Sequence, residues 1–381
     1  MSPPRIAVIG AGVIGTVLAH RLTRHGAKVT LLERSEPGNG TSRWSFAWLN
    51  SNNKTPRAFH DLNTASMAAW ARLAASEDGT RWYRPVGNLR WADGDSARSA
   101  LTERIERLQT WGYAAESVDR HRVADLEPAL ALPEDVEEAA WFPTEGYVRT
   151  GPLIEALLHR ARSLGAQIRT GRAGYVVDLE RRGAAHAVRT ADGGRVEADV
   201  VVCCTGRWTP QVARLVGVDV PVVDPEVAGS TAPGLVVRVC GVTESPRRVL
   251  HTPGVHVRPH DADQVHLEAT DTATVELHTP DAQLDTWAAT LLTRAQQILP
   301  GLRGAHVAHR TVCVRPMPVD GLPVVGPVDG EGAYVVLTHS GVTLAAGLAE
   351  LVTRELLDDT PVPQLAPFRP GRPSTRNRPS P

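Results

Sequence analysis

The chain has 381 residues, 42% of them hydrophobic and 22% charged, the balance of an ordinary globular enzyme with one large domain or two interleaved ones. A formal net charge of −1 gives no reason to expect a nucleic-acid partner, and no apolar run approaches the ~20 residues that span a bilayer. A structural motif within the first ten residues leaves no room for a cleavable signal segment, so a cytoplasmic protein is expected. The cysteines at 203, 204, 240 and 313 form no C-x-x-C pair and no zinc-type spacing with histidine, so neither a disulfide nor a metal is expected.

Arg5-Ile6-Ala7-Val8-Ile9 reads as a buried strand and runs into Gly10-Ala11-Gly12-Val13-Ile14-Gly15, a G-x-G-x-x-G motif. Val13, Thr16-Val17-Leu18 and Leu22 then recur with helical spacing. Lys28 to Glu33 reads as a second strand ending in an acid. Each part of this strand–turn–helix–strand unit has a task in holding a dinucleotide. Gly10 permits the tight turn, Gly12 lets the backbone approach a pyrophosphate, and Gly15 lets the helix pack against the sheet. The helix N-terminus offers free N–H groups and partial positive charge to the phosphates. Glu33, eighteen residues past Gly15, can accept hydrogen bonds from a ribose diol. The unit alone leaves NAD and FAD both open.

Trp44 to Lys54 follows, with two tryptophans and three asparagines; the aromatics suit either a pocket wall or the core, and Asn or Lys could contact a polar substrate. Leu153, Ile154, Leu157, Leu158, Ala161 and Leu164 mark an amphipathic helix, and Gln167-Ile168-Arg169 begins a strand. Ala198 to Gly206 reads as a buried strand of the same parallel sheet. Between 222 and 275 short β-rich runs alternate with turn residues, which predicts a second, antiparallel sheet. Residues 341–357 return to a helix. The Pro- and Arg-rich tail is expected to end in disorder over 371–381.

Four stretches in order resemble the D-amino-acid oxidase-like flavoproteins, which include glycine oxidase and monomeric sarcosine oxidase. They are Glu33-Arg34 with Gly40-Thr41-Ser42; Glu145-Gly146-Tyr147-Val148 before the helix at 153–164; Asp199 to Gly206 with Arg207-Trp208-Thr209; and Arg315 to Gly326 with His339-Ser340-Gly341-Val342-Thr343. The resemblance covers nearly everything before the tail. It implies an α/β fold: a discontinuous Rossmann-like FAD domain (1–80, 145–220 and 305–370) and an α+β substrate domain (81–144 and 221–304) with an antiparallel sheet over the flavin. The cofactor it implies is FAD, held by Gly10, Gly12, Val13, Ile14, Gly15, Glu33, Arg34, Thr41 and Ser42, then by Val176, Gly206 and Trp208, and last by Cys313, Gly341, Val342 and Thr343. The helix opening at Ser340 would point its positive end at the reduced flavin. The late Gly-Asp motif of the aromatic hydroxylases and the redox cysteine pair of the disulfide reductases are both missing from the sequence.

The activity implied is FAD-dependent oxidation of the C–N bond of an amine or amino acid. Hydride would pass to flavin N5, the imine would be hydrolysed, and oxygen would be reduced to hydrogen peroxide. The alternatives are a dehydrogenase with another acceptor and a non-catalytic flavin-binding subunit. Arg315 matches the family's carboxylate-gripping arginine, and a structural ion pair is the alternative. Cys313 stands where monomeric sarcosine oxidase bonds its flavin covalently, and a plain buried cysteine is the alternative. That enzyme also keeps a lysine at the flavin, and this chain has no lysine after Lys54. Either His266 or His339 could supply positive charge there instead.

Overall fold

The computed structural model describes residues 2–183, 185–269, 275–328 and 332–372. A six-stranded sheet runs in the order Val324–Pro327, Ala333–Leu337, Val200–Cys203, Arg5–Ile9, Lys28–Glu33, Gln167–Thr170. All its pairs are parallel except the first. Its central strands are largely apolar because helices cover one face and strands of a small antiparallel sheet the other, as a parallel sheet requires. Helix Val13–Arg24 and the C-terminal helix Gly341–Asp358 share the largest core cluster with helices Arg57–Ser76 and Thr150–Ser163. Gly347 marks a close crossing: a Cβ there would lie 2.1 Å from Ser66 Oγ. A three-stranded antiparallel meander, Val176–Arg182, Ala185–Thr190 and Arg195–Ala198, sits between two strands of this sheet in sequence. Nothing in the periodicity of the sequence had marked it.

The second sheet has eight strands, in the order His306–Val314, Pro233–Cys240, Gln264–Glu268, Val255–Asp261, Val249–Thr252, Asn88–Arg90, Glu138–Phe142, Glu116–Asp119. It is antiparallel except where Val249–Thr252 meets Asn88–Arg90. Alternation gives it two unlike faces. Leu235, Val237, Val239, Val257, Val265 and Leu267 pack under helix Asp281–Ile298 through Leu284, Ala288, Leu291 and Ala295. The other face carries His256 and Arg258, His266 and Glu268, and Cys313. Strand His306–Val314 belongs to this sheet, so the return to the nucleotide sheet falls after Val314 and not at 305.

Of the expected disordered tail, residues 373–381 lie outside the described residues, while Arg372 pairs with Asp320 at 2.8 Å. Among the described residues no helix is long and apolar enough to cross a membrane.

Candidate active site

A cavity of about 790 Å³ is walled by residues of both sheets. Part of its wall is the dinucleotide fingerprint. Gly10 has φ +100°, and a Cβ on it would stand 2.6 Å from Cys204 O. A Cβ on Gly15 would stand 1.9 Å from Gly10 O, so Gly15 packs beneath the wall rather than in it. Gly12 caps the first helix and faces the cavity. Val13 N–H donates to Ser42 Oγ at 3.0 Å, and no acid sits in the helix's first turn to oppose an anion. Glu33 accepts from Ala11 N–H and Ser35 N–H, both at 2.9 Å. Its oxygens keep lone pairs for a diol. The Arg34 guanidinium lies over the Trp208 ring at 4.0 Å. Thr41 Oγ1 donates to Val314 O at 2.6 Å, tying the fingerprint side to the large sheet.

The C-terminal helix starts at the same cavity. Ser340 gives its N-terminus no side-chain cap, and its first turn carries no acid. Trp70 Nε1 donates to Val342 O and Thr343 O at 2.9 and 3.0 Å, and Thr343 Oγ1 to Trp48 O at 3.1 Å. Two helix N-termini thus open on one cavity, one suited to a pyrophosphate and one to the negative charge of a reduced flavin. Among the cofactor residues expected from sequence, only Gly15 lies outside the cavity wall; Val176, Gly206, Trp208 and Cys313 are all in it. These donors and this volume fit FAD.

Arg315 is in the wall, with Nε donating to Ala232 O at 3.3 Å and Nη2 to the carbonyls of Thr231 and Pro233. Cys313 is buried, and burial pushes its thiol up to about 12; Sγ lies 3.8 Å from Thr41 O, to which it donates. The structure corrects the expectation of a cationic histidine. Burial, with the charges of Lys54 and Arg315, brings His339 down to about 3, so it is neutral in the wall. His266 lies outside the wall, stacked on His260 at 4.4 Å with Nδ1 2.7 Å from Arg258 Nη2. Burial and Arg258 hold it neutral as well. Lys54 faces this region together with Arg315, and desolvation lowers the lysine pKa to about 8.

Sequence reasoning missed the role of a buried group behind this wall. Glu145 is fully buried. It accepts from Trp48 Nε1 at 2.9 Å, Asn52 Nδ2 at 2.8 Å, Asn88 Nδ2 at 3.1 Å and Tyr113 Oη at 2.6 Å. Burial outweighs these four donors and raises its pKa to about 7. Glu145 lies behind the wall and reaches it through Trp48, while Arg90, His251, His256 and Glu268 enter the wall itself. The signal for His256 was the inverted alternation Val255-His256-Val257-Arg258, with polar residues on one face of a buried strand.

The family model for FAD dependent oxidoreductases matches residues 5–355. Glycine oxidase of Pseudomonas putida is 26% identical over 377 residues, covering 96% of this chain and 98% of the relative. One of the subunits of the opine oxidase of Rhizobium meliloti is 24% identical over 363 residues, covering 92% of each chain. The crystal structure of glycine oxidase from Geobacillus kaustophilus superimposes with a TM-score of 0.81 at 22% identity, over 97% of this chain and 99% of that one. With the fingerprint, the two helix N-termini and the match across both sheets in place, the chain belongs to the FAD dependent oxidoreductase family and uses FAD as its cofactor.

Proposed function

We propose that the chain oxidises the C–N bond of an amine that carries a carboxylate, an amino acid or an N-substituted amino acid. One observation carries this reading. Lys54 and Arg315 both line the wall of the cofactor cavity, two positive side chains in an arrangement suited to an anion. The backbone carbonyls of residues 231–233 fix the guanidinium of Arg315 before any ligand arrives, which lowers the ordering cost of gripping a carboxylate. Lys54, at about 8, stays mostly protonated at neutral pH, and a bound carboxylate would hold it so. Trp48 and Phe46 wall the same cavity and exclude water from the amine. FAD supplies the two-electron acceptor for the hydride leaving the substrate carbon. The imine left behind is hydrolysed to a carbonyl compound and an amine, and oxygen as final acceptor gives hydrogen peroxide.

A second reading is dehydrogenation with another acceptor, or service as the flavin-binding part of a larger enzyme. It is favoured by the likeness to one component of an opine oxidase. Aerobic incubation with amino acids separates the two. Peroxide and a carbonyl product in equal amounts support oxidase chemistry. Product formed only when an artificial acceptor is added supports the second reading, and no product in either case refutes the enzymatic one.

A further inference from the structure

His251, His256 and Glu268 lie on three neighbouring strands and each offers one ligand atom, all within 4.8 Å of one another. The two histidines are 2% and 8% exposed. Asn88 turns its Nδ2 to Glu145 and its Oδ1 to His251, with Oδ1 2.8 Å from His251 Nδ1. Nδ1 is therefore the protonated nitrogen of His251, and Nε2 is an unprotonated acceptor. That Nε2 has no hydrogen-bond partner, and neither has His256 Nδ1. His256 Nδ1 stands 3.5 Å from Glu268 Oε1. Phe46 and Trp48 pack against His251, with ring centroids 5.9 and 3.8 Å away. Two buried imidazole nitrogens without partners, converging with a carboxylate, ask for an occupant.

We propose that His251 Nε2, His256 Nδ1 and the Glu268 carboxylate bind a divalent transition-metal cation of the zinc class. Two imidazoles and one carboxylate are a donor set such ions take. The bond from His251 to Asn88 is the outer contact that fixes a ligating tautomer, and Glu145 fixes Asn88 in turn. A hydrogen bond between His256 and Glu268 would still leave His251 Nε2 without a partner. Arg90, paired with His251 in the strand register, adds positive charge nearby, and Glu145 offsets it. All three ligands line the cavity, so a remaining coordination position opens toward it and can take water or a substrate carboxylate or amine. Sequence spacing concealed the site because its ligands come from separate strands.

Zinc retention by the holoenzyme, freed of any affinity tag, tests this without turnover. The protein is stripped with a chelator, loaded with zinc and dialysed, and metal and flavin are quantified. The wild type should keep about one zinc per flavin, and in His256→Ala and Glu268→Gln that ratio should fall toward zero. Asn88→Ala should weaken zinc binding by about 10–100-fold, as loss of an outer contact does. Cobalt(II) titration of the wild type should give the absorption of a low-coordinate N/O site, which does not depend on any variant folding. Absence of both stoichiometric zinc and the cobalt signal overturns the proposal. So does full retention of zinc by the His256→Ala, Glu268→Gln double variant. Either failure leaves FAD-dependent amine oxidation standing.

Discussion

Replacing Glu145 by alanine and by glutamine separates its charge from its hydrogen bonding. Alanine strands four donors, the Trp48 indole, the Asn52 and Asn88 amides and the Tyr113 hydroxyl. At about 1 kcal/mol each, the low end for an unsatisfied buried group, E145A should lose about 4 kcal/mol or more. Glutamine keeps an acceptor oxygen and removes a charge that burial disfavours. The carboxyl rises from 4.5 to about 7 in the folded chain, worth about 3 kcal/mol against the ionised form. A raised carboxyl binds a proton that the unfolded chain has already released, so its contribution to stability is lost as pH rises from about 4.5 to about 7. Above that window E145Q should lie within about 2 kcal/mol of wild type, because relief of the buried charge offsets weaker hydrogen bonds. Urea denaturation of both holoproteins at pH 5 and pH 8 measures this. The difference between wild type and E145Q isolates Glu145 from the other titrating groups, and it should shrink or reverse at the higher pH. An alanine variant as mild as the glutamine one, or a difference that does not change with pH, would refute the reasoning.

Other expected outcomes follow from the same geometry. Arg315→Ala should weaken binding of a carboxylate substrate by about 2–5 kcal/mol, read as a change in KM or in the Kd of a carboxylate inhibitor. In wild type, affinity for that inhibitor should fall as pH rises through about 8, where Lys54 loses its proton; Lys54→Met should abolish the break and weaken binding about tenfold at pH 7. Gly15→Ala puts a Cβ 1.9 Å from Gly10 O, so the first helix must shift; about 3 kcal/mol of stability and most of the bound FAD should be lost, seen as a lower flavin-to-protein ratio. The Cys313 thiol, pushed up to about 12, carries little of the thiolate that attacks electrophiles, so acid precipitation should leave the flavin in the supernatant.

What could be read from the sequence was local. The fingerprint occupies consecutive residues, and the sequence reads as a helix over 341–357 where the structure has Gly341–Asp358, so both are legible without a fold. The large sheet was foreseen only in part. Pro233–Cys240 pairs with His306–Val314, some seventy residues on, and the mixed sequence of the latter does not say which sheet it joins. Glu145 belongs to a stretch that resembles the family, but its role depends on donors at positions 48, 52, 88 and 113, two on strands of different sheets and two on loops. His339 was placed at the site by its neighbours in sequence. Its charge state was not, because that depends on burial and on two cations remote in the chain. Lys54, the last lysine, reads from sequence as a possible substrate contact, and the structure sets it in the wall.

Anaerobic mixing of the flavin-loaded protein with a panel of amino acids, N-methyl amino acids and their decarboxylated counterparts tests the central claim most directly. Bleaching of the flavin by at least one carboxylate-bearing amine, with little or none by the matching amine lacking the carboxylate, is the result expected from a cavity that combines an FAD site with Lys54 and Arg315. Bleaching by the decarboxylated amines alone, or by none of the compounds, would contradict it.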